Sequence, residues 1–186
     1  MHSKIAIGAG PFPPKRERFV DQFDVVEVTE TFHDTFRAAT LRAWREGAPE
    51  GFAFSLVCSQ WVTADPLELG PSPIDGVDRR DLGFFQNTGG VRAAWDRMQA
   101  QVDALAADFV VFKTPASFGP AENRIADLRA FADRFLREAP FQAVWEPRGI
   151  WTREEARALA DACGMLLAMD PYDEETFPDT DGQAAY

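Results

Sequence analysis

The sequence predicts an α/β fold of the TIM-type (β/α)-barrel kind, and three observations carry that prediction. Short runs rich in β-branched and aromatic residues alternate with longer stretches whose apolar residues recur at helical spacing. The run Val25-Val26-Glu27-Val28 is apolar on both faces, as a strand covered by helices is, yet it holds one carboxylate that a barrel interior can accommodate. The segment Trp145-Glu146-Pro147-Arg148-Gly149-Ile150-Trp151 sets a carboxylate and a guanidinium two residues apart where an apolar run stops and a helix signal begins. Strand followed by helix, repeated, requires parallel strands joined by right-handed crossovers.

Taken in order, strands are expected over Lys4–Gly8, Asp24–Thr29, Phe52–Ser59, Phe109–Lys113, Gln142–Glu146 and Met165–Asp170. Helices are expected over Phe36–Glu46, Val91–Ala107, Asn123–Glu138 and Thr152–Cys163, the last opened by Thr152 and Glu155 as a capping box. Asp34 reads as an N-cap ahead of the first of these. Pro147 removes a ladder donor and ends the fifth strand. The connection from Thr63 to Gly90 is rich in Pro, Gly and Asp, and a connection of that length reads as a functional excursion rather than a linker, because the alternation resumes directly after it. About six strand signals are visible where a closed barrel needs eight and about 250 residues. The expectation is therefore one barrel domain over residues 1–186 with its last units missing, Gly182-Gln183-Ala184-Ala185-Tyr186 resembling the start of a seventh strand.

With 186 residues, 46% hydrophobic content and 16 Phe, the chain can bury one sizeable core. Its formal charge of −11 opposes generic binding to nucleic acid or to an anionic membrane surface. Cys58 and Cys163 both lie in apolar stretches and read as buried free thiols, which fits a reducing cytoplasm. Neither an export signal nor an apolar run of spanning length is apparent, so a soluble cytoplasmic protein is expected. Oligomeric state and cofactor leave no direct signal, and the expected partner is a small molecule.

In a (β/α) barrel the reactive groups gather at the C-terminal ends of the strands. Glu27, Lys113, Glu146, Arg148 and Asp170 all fall near such ends. Side chains two residues apart share a face, so Val111 with Lys113, and Val144 with Glu146, are expected to point inward, leaving Phe112 and Trp145 to the helices. Glu27 and Glu146 are the candidate catalytic acid and base. Arg148 and Lys113 are candidates to hold an anion, a guanidinium fork suiting carboxylate or phosphate. Asp170, His33 and Trp151 complete the expected substrate-binding set. The structural alternative is that Glu27 with Arg148, or Glu146 with Lys113, simply neutralise one another, since buried charges must be paired. A divalent metal is a further alternative: Glu27, Glu146 and Asp170 offer the oxygen ligands that Mg²⁺ or Mn²⁺ prefer.

Other features point away from chemistry. Ser117 lacks the flanking glycines of a nucleophile elbow and reads as a turn residue. Ile7-Gly8-Ala9-Gly10 is half of a glycine-rich phosphate loop, with Pro-rich sequence where a helix should start. The tryptophans read mainly as packing groups, although Trp61 and Trp151 adjoin the site loops. Asp173-Glu174-Glu175 reads as a solvated loop.

Six segments together resemble the domain of unknown function 72 family, also called YecE-like, in the branch with a Glu-Pro-Arg-Gly signature. They are VEVTETF (26–32), FSLVCSQWVT (54–63), GFFQ (83–86), VFKTPASF (111–118), WEPRGIW (145–151) and Asp170-Pro171. The resemblance implies a TIM-barrel-like fold and supplies no reaction. It also marks four departures: Val57 where the family has Lys, Ala64 where it has His after Thr63, Lys113 where it has Gln, and Thr29 where it has Asn. Those departures imply an altered or degenerate site. The readings left in competition are an acid-base enzyme acting on a small polar or anionic substrate, a non-catalytic binding or scaffold protein, and an inactive fragment of a longer barrel.

Overall fold

The computed structural model describes residues 6–13, 15–33 and 35–169. Six parallel strands, β1 (Gly8–Ala9), β2 (Val25–Val28), β3 (Ala53–Val57), β4 (Phe109–Lys113), β5 (Gln142–Glu146) and β6 (Leu166–Leu167), form one sheet in the order 1-2-3-4-5-6. Every hydrogen-bonded neighbour is parallel. Strict sequential order, without the reversal of a doubly wound sheet, is the order a (β/α) barrel uses. The helices are α1 (Arg16–Val20), α2 (Ala38–Glu46), α3 (Gln60–Thr63), α4 (Gly89–Leu105), α5 (Glu122–Phe135) and α6 (Arg153–Ala162). Short 3-10 turns occupy Thr29–Phe32 and Arg79–Asp81.

The alternation of faces follows the strand period. Val26, Val28, Phe54, Leu56, Phe112 and Trp145 join one buried cluster with the helices. Phe112 packs on Trp95 of α4 at 5.8 Å and on Phe131 of α5 at 5.9 Å between ring centroids. Truncating a fully buried aromatic of this kind to alanine costs about 3–5 kcal/mol. Val57, Val111 and Val144 are equally buried yet stand outside that cluster, on the inner face of the sheet. The inward phase expected for β4 and β5 therefore holds, and it carries Lys113 and Glu146 inward one step further along.

Helix boundaries follow local chemistry. Thr152 caps α6 in a reciprocal box, its hydroxyl accepting from Glu155 N at 3.2 Å while Glu155 Oε2 accepts from Thr152 N at 3.0 Å. Thr88 caps α4 by accepting from Val91 N, which starts that helix two residues before the expected Val91. Pro147 coincides with the end of β5 at Glu146.

Four expectations need correction. The first strand is Gly8–Ala9 rather than Lys4–Gly8, of which residues 4 and 5 lie outside the described residues. A Cβ on Gly8 would meet Val25 Cγ1 at 2.5 Å, so glycine permits the close approach that pairs Gly8 with Val25. This is a packing glycine, and the helix that follows is α1, five residues beginning at Arg16, in keeping with the reading that Ile7-Gly8-Ala9-Gly10 is not a complete phosphate loop. The third strand stops at Val57, because Ser59 is the N-cap of α3 rather than a strand residue, its hydroxyl accepting from Trp61 N at 3.4 Å. Asp24–Thr29 is likewise shortened by the 3-10 turn that begins at Thr29, and the sixth strand is Leu166–Leu167 rather than Met165–Asp170. Asp34, Asp170 and the acidic segment Asp173-Glu174-Glu175 lie outside the described residues.

Candidate functional site

At the C-terminal ends of the strands, four charged side chains form one connected network. Lys113 Nζ, at the last position of β4, donates to Glu27 Oε1 of β2 at 2.9 Å and lies 3.3 Å from Glu146 Oε2 at the end of β5. Arg148 Nη2 lies 3.4 Å from the other oxygen, Glu146 Oε1. Lys113 and Glu146 are direct partners in the β4–β5 register, so their proximity is built into strand pairing. The two contacts of the ammonium bound the separation of those Glu27 and Glu146 oxygens at about 6.2 Å, the sum of the two distances. Both carboxylates thus face the same side of the sheet.

The Lys113 ammonium is shifted as a cation between two carboxylates should be. Burial works to lower its pKa, but the hydrogen bond and charge of Glu27, reinforced by those of Glu146, outweigh that and leave it above the ordinary lysine value. Lys113 is therefore a fixed positive charge at neutral pH, unsuited to act as a base or amine nucleophile, which needs a lowered pKa. The place between Glu27 and Glu146 is filled by the chain's own ammonium. Among the described residues no group of three or more His, Cys, Asp or Glu side chains is arranged to hold a metal ion, and Asp170 of the expected ligand set is not described.

Beside this network lies an open cavity of about 570 Å³, lined by Lys113 and Arg148 with Thr29, Glu30, Phe32, His33, Val57, Gln60, Ala64, Glu68, Leu69, Thr114 and Pro115. That volume falls within the range of small-molecule sites. The walls are held by specific bonds. Thr31, 1% exposed, places its hydroxyl 2.8 Å from Val28 O and 2.7 Å from Val57 O, so the 3-10 turn carrying Glu30 is pinned across β2 and β3. Thr114 N donates to Glu146 O at 3.0 Å, and Trp145 Nε1 donates to Thr114 Oγ1 at 3.2 Å, fixing the β4 wall to β5. Gly149, with φ +97°, lets the chain turn after Arg148, where a Cβ would come within 2.6 Å of Ala116 O.

The expected site residues divide into those on the cavity and those off it. Lys113, Arg148 and His33 line it. Glu27 and Glu146 stand behind Lys113 and contribute nothing to the lining, although both side chains remain partly exposed. Trp151 is not on the cavity: its indole donates to Phe118 O at 2.6 Å, stacks on Phe118 and meets Trp145 edge-on. Ser117 is exposed and sits in a turn closed by Phe118 N to Pro115 O. Sequence reasoning passed over Glu30, Gln60, Glu68 and Thr114. Each follows the end of a strand, in β2–α2, β3–α4 or β4–α5 connections, where a barrel collects its ligands, and that placement was the available signal. Thr29, Val57, Ala64 and Lys113, the four positions that the resemblance singles out, all line the cavity.

Among the described residues no helix is long and apolar enough to cross a membrane. A search of curated proteins finds no match to the sequence. Among solved structures, the chain is similar to a DUF72 family protein from Enterococcus faecalis, with a TM-score of 0.64, 12% identity, 90% of this chain covered and 62% of that one. It is also similar to a DUF72 family protein from Thermotoga maritima, with a TM-score of 0.54, 16% identity, and 85% and 56% coverage. The chain thus spans about three fifths of the length of the structures it matches. Likeness at this identity concerns the fold, and it agrees with the sequential parallel sheet. The family model described as "Protein of unknown function DUF72" matches residues 13–172, which is most of the chain, and the protein belongs to that family.

Proposed function

We propose that the chain is an enzyme that binds a small polar molecule bearing an anionic group in the cavity at the C-terminal ends of its strands, and moves a proton on it by acid-base chemistry. The observation that carries this reading is the Glu27–Lys113–Glu146–Arg148 network, whose two cations open onto the cavity while its two carboxylates flank them. Lys113 holds its proton and supplies electrostatic attraction. Arg148 is 68% exposed in its side chain and reaches Glu146 at 3.4 Å, so it is free to turn toward a carboxylate or phosphate. A ligand anion that recruits Arg148 frees Glu146 Oε1 from that contact. Glu146 is then the proton acceptor or donor, and Glu27 holds Lys113 in place. Thr29, Val57, Ala64 and Lys113, the positions at which the resemblance implies an altered or degenerate site, all lie on this lining.

A second reading, binding without conversion, is favoured by one observation: neither Glu27 nor Glu146 lines the cavity. The same experiment separates the two. Thermal-shift screening against small carboxylates and phosphate esters identifies a ligand, and NMR of the mixture follows its conversion. Glu146→Gln is expected to bind that ligand and abolish turnover, while Arg148→Met weakens binding. Undiminished turnover by Glu146→Gln overturns the acid-base role, and a bound ligand that wild type leaves unchanged establishes the binding reading. Both cysteines are free and buried, which supports residence in a reducing compartment such as the cytoplasm.

A further inference from the structure

Resting on the reading of the cavity as a ligand site, we infer that its ligand is dipolar: a zwitterion whose anionic group meets Lys113 and Arg148 and whose ammonium group meets Glu30 and Glu68, with an uncharged spacer between. The charges of the lining are segregated by strand. Lys113 and Arg148 come from the ends of β4 and β5, whereas Glu30 belongs to the 3-10 turn after β2 and Glu68 to the connection after α3. The two cations are already compensated from behind by Glu27 and Glu146. The two acids are not: among the described residues neither Glu30 nor Glu68 forms a salt bridge, and the side chain of Glu30 has a long contact of 3.4 Å from the hydroxyl of Thr29.

A purely anionic ligand would therefore meet cations that already have counter-charges and would share the cavity with the carboxylates of half-buried Glu30 and exposed Glu68. An ammonium group on the same ligand removes that conflict and gives the two carboxylates a cationic partner. The apolar part of the lining includes Phe32, Val57, Leu69 and Pro115, which suits a short apolar spacer. A sphere of this volume is about 10 Å across, wide enough for charges several ångströms apart. An ω-amino acid has this chemistry.

The test is isothermal titration of the intact protein with the ω-amino acids from glycine to 6-aminohexanoate, and with hexanoate and hexan-1-amine. The best ω-amino acid is expected to bind about tenfold or more tightly than either singly charged probe. Glu30→Gln combined with Glu68→Gln is expected to erase the preference over hexanoate without weakening hexanoate, and Arg148→Met to weaken both carboxylates while sparing the amine. Hexanoate binding as tightly as the best ω-amino acid in wild type overturns the dipolar inference and leaves the anion-binding site standing. Tightest binding by hexan-1-amine, or no binding by any probe at about 10 mM, overturns both. Thermal midpoints matching wild type confirm that the variants are folded.

Discussion

Replacing Lys113 with methionine keeps most of the side-chain stem and deletes the charge that Glu27 and Glu146 both contact. The two carboxylates then face each other with the ammonium gone, their nearer oxygens within about 6.2 Å in the parent arrangement. The cost follows from exposure. An ion pair open to water contributes about 0.2–1 kcal/mol, and removing one partner from a sealed pair costs about 3–5 kcal/mol. With side chains 29%, 20% and 29% exposed, this triad lies between those limits, and about 2 kcal/mol is expected. For a domain of this size that is a fall of about 4–8 °C in melting temperature.

The pH dependence has a definite sign. Because the folded pKa of Lys113 lies above its unfolded value, the stabilisation is fully present below about pH 10.4 and is lost as pH rises through the folded pKa. Unfolding monitored by circular dichroism should therefore show a constant deficit for Lys113→Met across neutral and mildly alkaline pH, narrowing only at the alkaline extreme. Combined with Glu27→Gln, the substitution should be non-additive by about 1–2 kcal/mol, since both changes remove the same contact. Wild-type stability of Lys113→Met at pH 7, or strict additivity with Glu27→Gln, would refute the account of the network as a coupled unit.

Three further outcomes are expected. Gly149→Ala must place a side chain at φ +97° and 2.6 Å from Ala116 O, so it should lose about 2 kcal/mol or more in a urea melt and weaken ligand binding through the displaced Arg148. Trp151→Phe should lose about 1 kcal/mol, the hydrogen bond to Phe118 O, and leave ligand affinity unchanged; a large affinity loss in titration would return Trp151 to the site. Burial pushes the Cys58 thiol well above its usual value and raises Cys163 to about 11, so a disulfide labelling reagent at pH 8 should react with both in urea and with neither quickly in the native protein.

What could be read from the sequence was governed by short-range rules. The period of two assigned Phe112 and Trp145 to the helices and Val111, Lys113, Val144 and Glu146 to the inner face, because face depends on residue parity alone. The box at Thr152 and Glu155 was legible because its partners are three residues apart. The position of Trp151 off the cavity was not legible because the partner of its indole, Phe118 O, belongs to another loop, and no local rule reports that contact. The turns at Thr29–Phe32 and Gln60–Thr63 were missed for a related reason. Each follows a strand within two residues with no Gly or Pro between, and Thr31 is held by a carbonyl 26 residues away.

The network itself exposes the limit of parity. In the hydrogen-bond register Glu27 pairs with Ser55 and Ser55 with Phe109, so Lys113 lies four residues, about 13 Å, beyond the position level with Glu27. Parity says that the two side chains share a face but says nothing about this offset. The side chains must close it: the flexible stem of lysine leans back across the inner face to reach Glu27 at 2.9 Å. A shorter side chain at position 113 would keep Glu146, its direct register partner, and lose Glu27. Reach thus matters here beside charge, and Lys113→Gln, one atom shorter, should retain the contact on β5 while releasing the one on β2, a separation that a crystal structure of the variant would show directly.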